Sequence, residues 1–431
     1  MTLDLLRFTT AGSVDDGKST LIGRLLYDSK QVFEDQLEHV AQASERRGGS
    51  GTLDLALLTD GLRAEREQGI TIDVAYRYFA TPRRRFIIAD CPGHQQYTRN
   101  MVTGASTADL AVILLDARRG VLEQSKRHAF ISALLGIPHL VVAVNKMDLV
   151  EYSQARFEEL LGEFAGFAEK LEQEPNIVYI PISALNGDNV VERSPRMDWY
   201  EGSTLLELLE RVEVAYDHPY DTPARFPVQW VIRPANLNAT GPAGAEDYRG
   251  YAGQLASGAL RKGEEVVVLP GGGATRIAAI DTYEGELEEA LAPMSLTLRL
   301  QDELDVSRGE MICRAEEAPT VARELQADVC WLHERPLRPG GRYLIKHTTR
   351  NATAIVEELY DHVDVHTLAR VAGPAELALN DIGRVRLRTS APLTFDPYER
   401  NRRTGSFILI DETSNETVGA GLVGGNRASA A

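Results

Sequence analysis

One stretch decides the fold of this chain: Gly12-Ser13-Val14-Asp15-Asp16-Gly17-Lys18-Ser19. It matches the pattern of a glycine, four residues and Gly-Lys-Ser, with a short apolar strand before it and an amphipathic helix after it. Glycines let the backbone turn its N–H groups onto phosphates, and the N-terminus of the following helix adds a positive dipole. We therefore predict a phosphate-binding loop extending to Thr20, in which Lys18 reaches the β- and γ-phosphates and the Ser19 hydroxyl ligates Mg²⁺.

The composition excludes several classes of protein. No apolar run approaches the roughly 20 residues of a membrane-spanning helix, and residues 1–8 lack the basic region and long apolar core of a secretory signal. The three cysteines have no paired spacing, which argues against a disulfide framework and a zinc site. A net charge of −17 disfavours non-specific binding to nucleic acid. We expect a cytoplasmic protein with no membrane and no nucleic-acid partner.

A second candidate segment follows the apolar run at 86–89 and reads Asp90-Cys91-Pro92-Gly93-His94. An acidic residue at the carboxyl end of a strand, beside a phosphate loop, is suited to hold Mg²⁺ through water. The N–H of Gly93 can then sense the γ-phosphate, and we expect Cys91 to be buried rather than reactive. Asp-x-x-Gly is also common in ordinary turns, but its place after the phosphate loop favours the nucleotide role.

The base is indicated by Asn145-Lys146-Met147-Asp148, which ends another apolar run. The Asp148 carboxylate can accept two hydrogen bonds from guanine, at N1–H and the 2-amino group, whereas adenine offers no such pair. Sites of this kind discriminate by about 10⁴ or more. Asn145 is expected to brace the loop, and the stem of Lys146 can cover the base. A second segment for the base is Ser183-Ala184-Leu185, where a backbone N–H can meet guanine O6.

Two further residues are candidates for hydrolysis of the nucleotide. Thr71, in Gly69-Ile70-Thr71, is the candidate for a mobile Mg²⁺ ligand, which would make the preceding long loop a switch. The alternative is an ordinary strand threonine, because residues 71–79 roughly alternate. His94 can orient the attacking water, the role of a glutamine in Ras-type enzymes. Its alternative is a histidine that merely packs beside the loop.

The periodicity of the chain changes at about residue 217. Before it, short apolar runs alternate with amphipathic stretches, which is typical of a mostly parallel sheet covered by helices. After it, short strand patterns recur between glycine-containing turns. We predict an α/β P-loop GTPase domain at 1–217, two small antiparallel β-barrel domains at 224–315 and 319–425, and a disordered tail at 426–431.

Taken together, the motifs resemble the translation-factor-like GTPases, in which a G domain precedes two β-barrels. Residues 62–73 are similar to the switch segment of the eukaryotic and archaeal aminoacyl-tRNA carriers. However, translation factors usually carry His where this chain has Asp16. The loop and helix at 12–26 resemble instead the GTPase subunits of bacterial ATP sulfurylase (sulfate adenylyltransferase), as do residues 106–111 and the segment at 398–421.

This second resemblance implies a specific activity. Those subunits pair with a smaller subunit that joins ATP and sulfate into adenosine 5′-phosphosulfate and pyrophosphate, and GTP hydrolysis drives the uphill step. Some relatives carry a fused adenylylsulfate kinase domain, which we do not expect here because the chain ends shortly after the second barrel. Two alternatives remain open: a factor that delivers aminoacyl-tRNA, and a GTP-regulated scaffold that hydrolyses slowly.

Overall fold

The computed structural model describes residues 4–30, 55–58, 73–94, 97–214, 220–233, 248–364 and 367–424. Thr71 and the predicted tail lie outside these residues. The chain forms two compact units, the first comprising Met1–Val214 with Asp364–Ala369 and the second comprising Ala215–Val363 with Arg370–Ala431. Among the helices that are described, none is long and apolar enough to cross a membrane.

The first unit is built on a six-stranded sheet of order β2-β3-β1-β4-β5-β6, in which only the β2–β3 pair is antiparallel. Every residue of the fourth strand is buried, as its unbroken apolar sequence requires for a strand covered on both faces. The strands are β1 (Asp4–Gly12), β2 (Ala75–Ala80), β3 (Arg84–Asp90), β4 (Leu110–Asp116), β5 (His139–Asn145) and β6 (Asn176–Pro181).

Five α-helices accompany this sheet in the described part of the unit. The first and fifth share one hydrophobic cluster with the sheet, and the fifth begins with a capping box in which Thr204 and Glu207 each accept the other's backbone N–H. The helices are α1 (Lys18–Asp28), α2 (Thr98–Ala105), α3 (Glu123–Leu134), α4 (Gln154–Ala168) and α5 (Leu205–Arg211).

The second unit contains two six-stranded antiparallel barrels. The first barrel has the order β10-β15-β7-β8-β14-β11 and is closed by the pairing of β10 with β11. Its strands are β7 (Phe226–Ile232), β8 (Gly250–Gln254), β10 (Glu265–Leu269), β11 (Gly273–Thr282), β14 (Ser295–Leu300) and β15 (Met311–Cys313). The short strand β12 (Gly285–Leu287) pairs with β11, while β9 (Ala259–Arg261) and β13 (Glu289–Leu291) form a separate two-stranded sheet.

The second barrel has the order β17-β21-β22-β16-β20-β18 and is closed by the pairing of β17 with β18, while β19 extends β18. These closures leave the barrel strands paired on both sides, which removes exposed sheet edges. The strands are β16 (Thr320–Trp331), β17 (Arg342–His347), β18 (Arg350–Val363), β19 (Arg370–Ala372), β20 (Ile382–Phe395), β21 (Ser406–Ile410) and β22 (Thr417–Val423). The predicted fold class, an α/β P-loop domain followed by two β-barrels, is confirmed.

The two barrels meet at a buried ion pair. Arg225, which precedes β7, donates from Nε and Nη2 to the two oxygens of Asp396, both at 2.9 Å, and Asp396 follows β20. Thr404 Oγ1 donates to the same carboxylate at 2.6 Å, and Arg225 Nη2 also donates to the carbonyl of Glu317 at 2.7 Å. We call Arg225, Glu317, Asp396 and Thr404 the barrel junction. Burial opposes the charged form of Asp396, but these hydrogen bonds lower its pKa below the usual range.

Candidate nucleotide site

The parallel strands of the first unit bring four sequence segments to one edge of the sheet. β1 leads into the phosphate loop, β3 into residues 90–94, β5 into residues 145–148, and β6 into residues 183–185. The register aligns these strand ends, since Thr10 pairs with Asp90 and Asp116 with Asn145. Open α/β sheets bind their ligands at the carboxyl ends of the strands. We call this region the nucleotide edge.

The phosphate loop has a backbone that depends on glycine. Gly17 has a φ of 92°, and a Cβ on it would clash with the side chain of Asn145. Gly93 approaches the loop equally closely, because a Cβ there would clash with the carbonyl of Gly12. Asp15 has a φ of 70°, a conformation that aspartate tolerates better than most residues. The loop and the segment after β3 therefore pack backbone against backbone.

Two opposite charges face each other inside this loop. The ammonium of Lys18, at the start of α1, forms an ion pair with Asp90 Oδ1, at the end of β3. Their side chains are 9% and 4% exposed, so neither charge is well hydrated. Ser19 follows Lys18 as the second residue of α1.

Asp16 is a buried carboxyl group within the loop. Its Oδ2 accepts the N–H of Ser13 at 2.7 Å, whereas its Oδ1 is buried without a hydrogen-bond partner in the part of the chain that the structure describes. Burial raises the pKa of Asp16 to about 7, against the opposing effect of the Ser13 N–H. The nearby carboxylate of Asp116 raises this pKa further, while Lys146 and Arg119 lower it.

Asn145 connects the phosphate loop to residues 183–185. Its Nδ2 donates to the carbonyl of Asp16 at 2.7 Å, and its Oδ1 accepts the N–H of Ala184 at 2.9 Å. One amide thereby fixes two loops that lie far apart in the sequence. The sequence predicted this bracing role from the strand-end position of Asn145.

Lys146 is held by a carboxylate that the sequence prediction missed. Its Nζ donates to the carbonyl of Asp15 and lies 2.9 Å from Asp116 Oδ2. The Asp116 carboxylate also accepts two hydrogen bonds from Arg118, one from Nε at 3.0 Å and one from Nη2 at 2.7 Å. Burial disfavours its charged form, but Arg118 and Lys146 hold the pKa of Asp116 well below its usual range. Its position at the end of β4 was the signal that could have revealed it.

The base-recognition segments are joined by a side-chain hydrogen bond. Ser183 Oγ donates to Asp148 Oδ1 at 2.6 Å, which fixes the orientation of that carboxylate. Met147 is fully buried, so its side chain belongs to the hydrophobic core. Leu185 is 54% exposed and lies at the surface of the loop.

Arg24 is a second residue that the sequence prediction missed. It lies on α1, and its Nε donates to the carbonyl of Ala184 at 3.2 Å while its Nη2 donates to the carbonyl of Leu185. Asp28, one turn further along the helix, lies 3.5 Å from the Arg24 guanidinium. Helix α1, which follows the phosphate loop, therefore also contacts the base segment at residues 183–185.

His94, Cys91 and Thr71 complete the set of predicted residues. His94 is exposed next to Gly93, with its ring 6.2 Å from that of Tyr97. Cys91 is fully buried beside Thr9, and burial raises the pKa of its thiol to about 12, which makes it unreactive at neutral pH. Thr71 lies outside the described residues.

Known proteins match two regions of this chain by family and 97% of its length by sequence. Residues 3–215 match the family described as elongation factor Tu GTP binding domain, and residues 324–424 match the GTP-eEF1A C-terminal domain-like family. The chain is 57% identical to the bifunctional enzyme CysN/CysC of Mycobacterium tuberculosis over 97% of this chain and 67% of that protein.

Two further relatives carry the name of a single enzyme subunit. The chain is 52% identical to sulfate adenylyltransferase subunit 1 of Colwellia psychrerythraea, over 97% of this chain and 88% of that protein. It is 54% identical to the protein of the same name from Vibrio vulnificus, over 97% of this chain and 86% of that protein. These identities confirm the resemblance that was inferred from Asp16 and the segment at 398–421. The chain belongs to the sulfate adenylyltransferase subunit 1 family.

Proposed function

We propose that this chain is the GTP-hydrolysing subunit of an ATP sulfurylase located in the cytoplasm. In this proposal a smaller subunit joins ATP and sulfate into adenosine 5′-phosphosulfate and pyrophosphate, and GTP hydrolysis drives that reaction. The observation that carries the proposal is similarity over 97% of the chain to proteins named as subunit 1 of this enzyme. We propose residues 1–217 as the GTP-binding domain and residues 224–315 and 319–425 as the barrel domains.

The geometry of the nucleotide edge supports a guanine nucleotide as the ligand. Asp148 receives one hydrogen bond at Oδ1 and retains acceptor capacity for the N1–H and 2-amino groups of the base. Asn145 and Lys146 tie this carboxylate's segment to the phosphate loop. The base and the phosphates of one nucleotide would thus be held by a single connected framework.

The same edge offers oxygen donors suited to Mg²⁺. Ser19 supplies a hydroxyl and Asp90 a carboxylate, and Mg²⁺ commonly takes only one or two protein ligands beside phosphates and waters. Thr71 is proposed as a further ligand. When bound, the cation would supply neutralisation of phosphate charge. The buried Lys18–Asp90 pair supports this fit, because phosphates and a cation can provide new partners for both charges.

We propose that His94 orients the water that attacks the γ-phosphate. Its exposed position directly after Gly93 supports this role. We expect His94→Ala to lower GTP turnover by about 100-fold while GTP affinity stays nearly unchanged. The measurement is single-turnover hydrolysis alongside equilibrium binding of GTP, and equal loss of both would assign His94 to structure instead.

The decisive experiment reconstitutes the enzyme from the full chain and a purified small adenylyl-transferring subunit. We expect phosphosulfate synthesis to require both proteins, to rise with GTP, and to fall when a non-hydrolysable GTP analogue replaces it. Synthesis by this chain alone would refute the division of labour. Copurification with aminoacyl-tRNA and no effect of the small subunit would support the translation-factor alternative.

A further inference from the structure

The side chain of Arg24 links α1 to the base segment at residues 183–185, and we call this contact the clamp. Its guanidinium donates to two consecutive carbonyls, those of Ala184 and Leu185. Asp28 lies 3.5 Å from it, and the ring centroid of Tyr27 lies 5.9 Å from it. The Arg24 side chain is only 17% exposed. The clamp is therefore held in place by charge and packing on its own helix.

The clamp orients one peptide group. The Ala184 carbonyl and the Leu185 N–H belong to the same planar trans peptide, so they point in opposite directions. Because Arg24 holds that carbonyl, the Leu185 N–H is directed away from α1. The preceding N–H, of Ala184, is already donated to Asn145 Oδ1 at 2.9 Å. Of these two N–H groups, that of Leu185 is thus the one left for the base.

We infer that Arg24 is a positioning residue for guanine recognition, which fixes the Ala184–Leu185 peptide so that its N–H meets O6 of the base. The inference rests on the proposed function only in that a guanine binds at this edge. It adds a determinant of selectivity outside the two base-recognition segments, 145–148 and 183–185. Asp148 recognises the other side of the base, so the two determinants are separable by nucleotide chemistry.

The chemistry of arginine suits this task. A planar guanidinium can donate to two carbonyls at once, whereas a lysine ammonium on a flexible stem does not match that fork. Leu185 is 54% exposed, so packing around its side chain contributes little to holding this peptide group. Without the clamp, the peptide gains freedom to rotate away from the base.

The test compares three nucleotides on the full chain. ITP lacks the 2-amino group but keeps O6 and N1–H, whereas 2-aminopurine riboside triphosphate keeps the 2-amino group but lacks both O6 and N1–H. We expect Arg24→Met to weaken GTP and ITP binding alike by about tenfold, the equivalent of one hydrogen bond. Binding of the 2-aminopurine nucleotide is expected to stay unchanged, and Arg24→Lys to fall between the wild type and Arg24→Met for GTP.

The matched control is Arg193→Met, which removes another arginine that donates to two backbone carbonyls, those of Glu201 and Gly202. We expect it to leave all three affinities unchanged. Equal loss of all three nucleotides in Arg24→Met, or no loss at all, would overturn the inference. If the reconstituted enzyme showed no GTP-dependent phosphosulfate synthesis, but Arg24→Met still weakened GTP and ITP binding selectively, only the proposed function would be overturned.

Discussion

Each unit of this chain buries an ion pair, and the surroundings of the two pairs differ. At the barrel junction both oxygens of Asp396 accept hydrogen bonds from Arg225, and Thr404 donates a third. At the nucleotide edge Lys18 and Asp90 are similarly buried, but they border the phosphate loop, whose backbone is left-handed at Asp15 and Gly17. The first pair is surrounded by complete hydrogen bonding, as expected for a structural contact.

The nucleotide edge also contains buried polar atoms without partners. In the phosphate loop, Ser13 Oγ and Asp16 Oδ1 have none among the described residues, and single unpaired atoms also occur elsewhere, for example Thr394 Oγ1 in β20. Nearly all buried polar groups in native proteins are paired, so such exceptions require a reason. The pKa values follow the same division, raised to about 7 for Asp16 by burial and lowered for Asp396, where the hydrogen bonds outweigh burial. In this molecule the Arg225–Asp396 pair has its hydrogen bonds completed by the protein itself, whereas the phosphate loop leaves buried polar atoms unpaired, as expected where a ligand supplies the partners.

The largest expected effect comes from removing the Lys18 ammonium group from the nucleotide edge. Lys18→Ala should lower GTP affinity by at least about 100-fold, because the ammonium is expected to make more than one charge-assisted contact to phosphates. Equilibrium binding of a fluorescent GTP analogue measures it. Lys262→Ala, which breaks the surface pair with Glu286, is the control and should change nothing. Micromolar GTP affinity in Lys18→Ala would contradict the phosphate-loop assignment.

Breaking the barrel junction should lower the stability of the fold and leave GTP affinity unchanged. Arg225→Met leaves Asp396 buried and uncompensated, which costs about 3–5 kcal/mol of the free energy of unfolding. GTP affinity should stay unchanged, since the junction lies in the second unit. Urea unfolding and GTP binding measure the two effects. The double variant Arg225→Met/Asp396→Leu should recover most of the stability, and a loss of GTP affinity instead would show that the two regions are not independent.

The smallest effect concerns the pH dependence of the nucleotide edge. Because the folded pKa of Asp16 lies above its ordinary value of 3.8, the folded state holds a proton that the unfolded state loses above that value. Wild type should therefore lose about 2–3 kcal/mol of unfolding free energy relative to Asp16→Asn as the pH rises from about 5 to about 8, with most of the loss below the folded pKa of about 7. The asparagine keeps an acceptor for the Ser13 N–H.

This difference is measured by urea unfolding of both proteins from about pH 5 to pH 8, without nucleotide or Mg²⁺. Comparing the two proteins removes the contribution of groups that titrate in both. Parallel curves would show that the Asp16 carboxyl stays ionised, and would weaken the contrast with Asp396.

The fold and much of the candidate site could be predicted because their signals are local. The phosphate loop, Asp90, and the segment at 145–148 each follow an apolar run, and parallel strands place such strand ends at one edge. Both barrels were predicted from recurring turns and strand patterns. The spacing of local motifs was enough, since the geometry of a parallel sheet supplies the rest.

The sequence by itself determined a P-loop domain and, through Asp16 and the matches at 106–111 and 398–421, the family. Only the tertiary structure decided which distant residues meet: Arg24 and Ala184 are 160 positions apart, and Arg225 and Asp396 are 171 apart. Side chains of these types occur everywhere on protein surfaces, so nothing local distinguishes them. Their energies depend on burial and on their partners, and both exist only once the chain has folded.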